Sequence, residues 1–204
     1  MNNIPFLADM EEPPLPWRPG RFKAYAAERA AAGLQIFGGA YMIGTRHTGS
    51  KADYLADMVF TPLWEQRDRI RPLPGDTLNS FHMMLGQFYG LASFMSAQVI
   101  ADIKYTEPLL SAPDWHTFAA SGPGSRRGLN RVYDRPINKP WKEEDFRFRL
   151  LDLREKVIPR FAELGWEIPC GQNIQNMLCE LDKYKRAELN EGRPKQLFRS
   201  GNTE

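Results

Sequence analysis

Residues 78–101 read LNSFHMMLGQFYGLASFMSAQVIA, and this stretch decides the fold. Leu78, Phe81, Leu85 and Phe88 recur at spacings of three and four, which places them on one face of a helix. Ahead of them the turn Arg71-Pro-Leu-Pro-Gly-Asp76 ends on a residue whose carboxylate suits an N-cap. Tyr89-Gly-Leu-Ala-Ser93 breaks the pattern, and Phe94, Ala97, Ile100 and Ala101 restart it as the inner face of a second helix. Two amphipathic helices joined by so short a turn have to pack against each other. The expected fold class is all-α.

The same periodicity extends outward in both directions. Residues 21–32 form an Ala-rich helical run that Gly33 ends. Residues 51–64 read as a helix interrupted at Pro62, and residues 142–164 as a charged helix kinked at Pro159. A last helix over 173–189 turns Ile174, Met177, Leu178 and Leu181 inward. Residues 34–43, apolar with two adjacent glycines, fit a strand as well as a helix. Pro13, Pro14, Pro16 and Pro19 argue against a regular element in the first twenty residues. These boundaries give a proline-rich extension over 1–16, a helical domain over 17–190 and a loose polar tail over 191–204.

Composition narrows the function classes. The 204 residues are 42% hydrophobic and 12% aromatic, enough for a packed core. Basic and acidic side chains number 27 and 25, so the net +2 does not by itself mark a nucleic-acid binder. Such a protein would have to gather its cations on one face. Cys170 and Cys179 come without a CxxC pair or a histidine cluster, so no metal site and no cofactor are expected. The N-terminus lacks a basic start followed by an apolar run, and no stretch reaches the ~20 apolar residues of a membrane span, which points to the cytoplasm. Residues 44–51, GTRHTGSK, come near a P-loop. The order Gly-Ser-Lys with no strand before it does not build that phosphate cradle, so kinase chemistry is not expected here.

Three groups of residues carry candidate chemistry. Ser121-Gly-Pro-Gly-Ser125 precedes Arg126, Arg127 and Arg131. Gly122, Gly124 and Ser125 allow backbone N–H groups to converge, and the arginines offer paired donors for a phosphate or pyrophosphate. The alternative is a plain turn running into a solvated basic helix. Asp114 suits a general base, an electrostatic stabiliser or the cap of a helix starting at Trp115. On the last helix Asn176, Glu180 and Lys183 share a face and stand near Gln175. That face suits a base with a polar substituent, or an exposed ion-pair surface. His82 and His116 read as packed or hydrogen-bonded, His47 has no evident partner, and Asp102 and Lys104 read as surface residues.

Gly90-Leu91-Ala92 resembles the hairpin of helix–hairpin–helix proteins, in which backbone N–H groups meet a DNA phosphate. Asp114, 24 positions after Gly90 and two before His116, resembles the aspartate of helix–hairpin–helix DNA glycosylases. That resemblance implies a catalytic carboxylate facing an extruded nucleoside. Met95-Ser-Ala97 stands where lyase members of that superfamily carry a lysine, so imine chemistry is not implied. Longer strings form a second set: Gly39-Ala-Tyr-Met-Ile43, Phe94-Met-x-Ala-Gln-Val99, the run from Ala119 to Arg131, and Gln175-Asn-x-Leu-Cys-Glu-x-Asp-Lys-Tyr184. Together they resemble the α-glutamyl/putrescinyl-thymine pyrophosphorylase family, which shares its region with the helical domain of phage 5-hydroxymethyl-deoxyuridine (5-hmdU) DNA kinases. The resemblance spans nearly all of residues 17–190.

It implies thymine hypermodification: an amine or amino acid displaces pyrophosphate from 5-pyrophosphomethyl-uracil in DNA. Asp114 would be catalytic, with Gly122, Gly124, Ser125, Arg126, Arg127 and Arg131 holding pyrophosphate. Gly90, Leu91 and Ala92 would contact DNA, and Gln175, Asn176, Glu180 and Lys183 the substrate. The implied partners are DNA with a modified thymine, an amine or amino-acid co-substrate and a separate P-loop 5-hmdU DNA kinase. If the chain is phage-encoded, the setting is the host cytoplasm. Two alternatives stay open, a non-catalytic DNA-binding module serving that kinase and a glycosylase of modified bases.

Overall fold

The computed structural model describes residues 4–10, 16–38 and 49–192. The string at 39–43, most of the P-loop-like segment with His47, and the tail from 193 lie outside the described residues. Every regular element among the described residues is helical, so the fold is all-α. The chain divides into two compact units, Met1–Ala112 and Pro113–Glu204. No helix among the described residues is long and apolar enough to cross a membrane.

The first unit opens with helix α1 (Ile4–Asp9), where the prolines predicted no regular element. Pro5 stands in the first turn of this helix, where its missing N–H would have no intrahelical acceptor, and the run of prolines that follows begins only at Pro13. Phe6 is fully buried and meets Phe22 edge-on at 5.8 Å on helix α2 (Pro19–Ala31). Helix α3 (Lys51–Tyr54) continues through a wide π turn (Leu55–Phe60) into α4 (Thr61–Glu65). Pro62 therefore does not break the helix. Proline has no N–H to return to the preceding turn. The widened turn lets the Ala56 carbonyl take both the amide and, at 2.7 Å, the hydroxyl of Thr61.

Helix α5 (Arg67–Ile70) leads to the hairpin pair α6 (Leu78–Leu85) and α7 (Ser93–Ile103). The cap of α6 is Thr77, whose hydroxyl accepts from the Ser80 amide at 2.9 Å. Asp76, the expected cap, instead accepts from the Leu73 amide at 2.8 Å and closes the preceding turn. Leu78, Phe81 and Leu85 are buried, while Phe88 falls beyond the helix end. On α7 the buried face is Ser96, Ala97 and Ile100, and Phe94 points outward. Ser96 can take the inner position because its hydroxyl donates to the Leu91 carbonyl at 2.5 Å. Lys104, expected on the surface, is only 2% exposed at the end of α7.

The second unit is built from α8 (Pro123–Val132), α9 (Glu143–Glu163) and α10 (Gly171–Glu188) around Ala119, Leu129, Phe146, Leu150, Ile174 and Leu178. Helix α9 runs unbroken through Pro159. Helix α10 starts two residues earlier than its periodicity predicts, because the Asn173 side chain accepts from the Cys170 amide at 3.0 Å and caps that start. Gln175 and Asp182 are buried on α10, while Met177, predicted inward, is exposed. Helices α8 and α10 approach closely through glycines. A Cβ on Gly128 would lie 2.1 Å from the Leu178 carbonyl oxygen, and one on Gly124 would lie 2.9 Å from Cys179 Sγ.

Candidate functional site

The hairpin residues belong to the first unit. Gly90 has φ +83°, a left-handed conformation that favours glycine, and a Cβ there would lie 2.9 Å from Val59 Cγ2. Internal packing alone therefore requires the glycine. Leu91 is buried, and its amide donates to the Phe88 carbonyl at 3.1 Å. Ala92 is exposed and caps α7 without a side-chain hydrogen bond, which leaves the first N–H groups of α7 without an intrahelical acceptor. His82 Nε2 lies 2.8 Å from the Ser93 carbonyl and ties α6 to the start of α7. Of the three hairpin residues, Leu91 thus has its amide already paired within the turn.

Asp114, in the second unit, is half-buried. It does not cap a helix. Its carbonyl accepts from the amides of Thr117 at 3.0 Å and Phe118 at 2.8 Å, closing a single turn. This turn docks on the start of α10, where the Gly171 amide donates to the His116 carbonyl at 2.7 Å. The approach is close: a Cβ on Gly171 would lie 3.0 Å from the Phe118 carbonyl oxygen.

The glycine–arginine string forms the start and body of α8. Ser125 is fully buried; its hydroxyl accepts from the Gly122 amide at 2.9 Å and caps the helix. Each arginine meets carboxylates of its own unit. Arg126 donates to Ser121 Oγ at 2.7 Å and to Glu143 at 3.0 Å. Burial pushes the Glu143 carboxyl up, but hydrogen bonds from the Ser121 hydroxyl and amide and from Arg126 outweigh it and hold the group below its ordinary value. Arg127 and Arg131 converge on Asp182 at 3.1 and 2.9 Å. Both also pair with Glu191, just past α10. The hydrogen bonds that Arg131 donates to Glu191 raise the Arg131 pKa and lower that of Glu191. The string thus staples α8 to α9 and α10, and its charge is matched inside the unit.

On α10, Gln175 is buried and turned away from the other three candidates. Asn176, Glu180 and Lys183 share an exposed face, on which Glu180 and Lys183 form an ion pair at 2.5 Å. The spacing did not single out Asp182, Glu143 or Glu191 as partners of the arginines. One signal was available: Asp182 lies four residues after Leu178 and eight after Ile174, a charge on the apolar stripe. Among the described residues no group of three or more His, Cys, Asp or Glu side chains is arranged to hold a metal ion.

A family model described as 5-hmdU DNA kinase, helical domain, matches residues 7–193. No curated protein and no solved structure matches the chain.

Proposed function

We propose, for a chain that belongs to the family of 5-hmdU DNA kinase helical domains, that it is the DNA-engaging helical module of thymine hypermodification. It would present 5-hmdU nucleotides in DNA to a separate P-loop kinase, in the cytoplasm where that DNA is handled. One observation carries this choice over a transferase: Arg126, Arg127 and Arg131 are each paired with Glu143, Asp182 or Glu191. Catalysis of pyrophosphate departure needs fixed cations aimed at the charge that develops on the leaving group. Here those cations are aimed at the protein's own carboxylates.

A second reading rests on Glu191. Its carboxylate lies between the guanidinium groups of Arg127 and Arg131, where a diphosphate anion would also fit. If Glu191 withdraws, the pair can clamp pyrophosphate. In that chemistry the amine nitrogen bonds to the exocyclic methylene carbon, and the carbon–oxygen bond breaks with its electron pair leaving on pyrophosphate. The amine proton passes to a base, the role the resemblance gives to Asp114.

The test incubates the purified chain with 5-hmdU duplex DNA, with and without a 5-hmdU DNA kinase and ATP, and then with amines. Nucleosides are read by mass spectrometry. Binding of 5-hmdU DNA and faster kinase turnover, with no new nucleoside formed by the chain itself, supports the module. An aminated thymidine that depends on this chain replaces it with the transferase.

A further inference from the structure

The arginine–asparagine string of α8 has a second set of contacts, all to the loop between α8 and α9. Asn130 is 1% exposed, and its amide donates to the carbonyls of Ile137 at 3.0 Å and Lys139 at 2.9 Å. Arg127 donates to Asn138 Oδ1 at 2.8 Å and Arg126 to the Trp141 carbonyl at 3.2 Å. In return the Arg135 amide donates to the Asn130 carbonyl at 2.8 Å. The loop is therefore held in one shape from below.

With the first turns of α9 this loop walls a groove of about 630 Å³, lined by Arg135, Trp141, Lys142, Asp145, Phe148 and Arg149. The Arg135 guanidinium covers the Trp141 ring at 3.4 Å. Arg135 Nη1 and Trp141 Nε1 are shielded from solvent and have no hydrogen-bond partner. Phe148 is 67% exposed, and the Arg149 guanidinium stands 5.7 Å from its ring. Three cations thus line the groove with one carboxylate, Asp145; none of the three forms an ion pair among the described residues, although Arg149 stands close enough to Asp152 to help hold that carboxyl below its ordinary value. This is the reverse of α8, where each arginine of the string is matched.

The exposed Phe148 ring and the half-buried Trp141, beside guanidinium groups that form no ion pair, suit a ligand with a flat face and a negative charge. An acidic peptide would use the cations but not the flat rings, and an apolar ligand would leave the cations unused. A nucleotide uses both. We propose that this groove binds a nucleotide of a DNA strand, its base against Phe148 and the Arg135–Trp141 pair and its phosphate at Lys142 and Arg149. The proposal rests on the reading of the chain as acting on DNA, and adds the place and the contacts.

The test measures fluorescence anisotropy of a labelled ten-residue oligothymidylate with the full chain at fixed salt. Variants are Phe148→Ala and Arg149→Gln, both at exposed positions that leave the core intact, with Arg160→Gln further along α9 as control. Each groove variant is expected to weaken binding about tenfold, the loss of one stacked or charged contact, with the control within about twofold. Competition by dTMP and by orthophosphate identifies what the groove reads. Weak competition by both, with the losses above, supports a strand site. Displacement by dTMP at low concentration assigns the groove to free nucleotides and overturns the strand. Equal competition by orthophosphate reduces it to an anion site and overturns the nucleotide. If the parent binds oligothymidylate and 5-hmdU duplex and both groove variants bind as tightly, the groove is refuted while the DNA-module reading stands. If the parent binds no DNA at all, the module reading fails first and the groove with it.

Discussion

Gly128→Ala is a single-methyl perturbation whose cost follows from the contact between α8 and α10. The new Cβ would lie 2.1 Å from the Leu178 carbonyl oxygen and 2.7 Å from its carbon. Ordinary contact begins near 3.4 Å, so the helices must part by about 1.3 Å, the difference between 3.4 and 2.1. Both sides of the clash are backbone, so no rotamer change relieves it. Parting by that much would stretch the 2.9 Å bond between Arg131 and the buried Asp182 beyond hydrogen-bond range. Overpacking a core contact costs ~1–3 kcal/mol, and losing a charged hydrogen bond adds ~1.5–3 kcal/mol. Alanine recovers ~1 kcal/mol of helix propensity. The net is a loss of about 3 kcal/mol, or a fall of roughly 12 °C or more in the melting of a unit this small.

The assay is thermal and denaturant unfolding followed by circular dichroism, with Gly124→Ala beside it. There the collision is with Cys179 Sγ at 2.9 Å, while the Cys179 Cα and Cβ stand at 3.6 Å. Cys179→Ala should therefore restore Gly124→Ala, whereas Leu178→Ala should not restore Gly128→Ala, whose obstacle is a carbonyl. A Gly128→Ala protein that melts at or above the parent temperature would refute the close-packing account of these glycines. It would return Gly124 to the role of a phosphate-binding turn.

Three other outcomes are expected. Gly90→Ala should lower stability by about 1–3 kcal/mol in urea unfolding, because φ +83° and the 2.9 Å approach to Val59 both oppose a Cβ; unchanged stability would remove the packing reason for this glycine. The Glu143 carboxyl is held below its ordinary value, so its share of stability is present above the unfolded pKa and is lost as pH falls through the folded one. Melting temperatures measured from pH 5.5 down to 3 should fall less steeply in Glu143→Gln than in the parent, and parallel curves would deny the coupling. Glu191→Gln removes a charge from between Arg127 and Arg131, so calorimetry should find tighter pyrophosphate binding than in the parent if that pair can clamp an anion. Heat-silent titrations of both proteins would end the transferase reading.

Local spacing made most helices legible, and the errors have identifiable causes. Leu78, Phe81 and Leu85 were readable because apolar side chains at helical spacing have one way to leave water. Ser96 took the inner position expected of Phe94 because a small hydroxyl that bonds the Leu91 carbonyl packs like an apolar group. Asp182 took an inner position while Met177 faced out, because two arginines on another helix neutralise the carboxylate. Those arginines lie 55 and 51 residues away in sequence, beyond any rule of helical spacing. The candidate site was half legible for the same reason. The four-residue spacing of Arg127 and Arg131 shows that they share a face, but only the fold shows that Asp182 and Glu191 stand opposite. The groove on α9 was not legible, because its wall depends on a loop shaped by Asn130 through carbonyls that carry no side-chain signature.

Where the free positive charge lies has a measurable consequence. A chain of net +2 that engages DNA must do so through a local surplus of cations. If the arginines of α8 stay matched, the surplus left in the second unit includes Arg135, Lys142 and Arg149. Each cation that neutralises phosphate on a single strand contributes about 0.7 to the slope of log affinity against log salt, so Lys142 and Arg149 give a slope of about −1.4. If Glu143, Asp182 and Glu191 released their arginines on binding, three more contacts would steepen the slope to roughly −3.5. Arg149→Gln should reduce the slope by about one contact in either case. Arg126→Gln should leave it unchanged in the first case and reduce it in the second. A slope of about −3.5 that depends on Arg126 would mean the α8 staple opens on DNA, and would move the binding surface from the groove to the string.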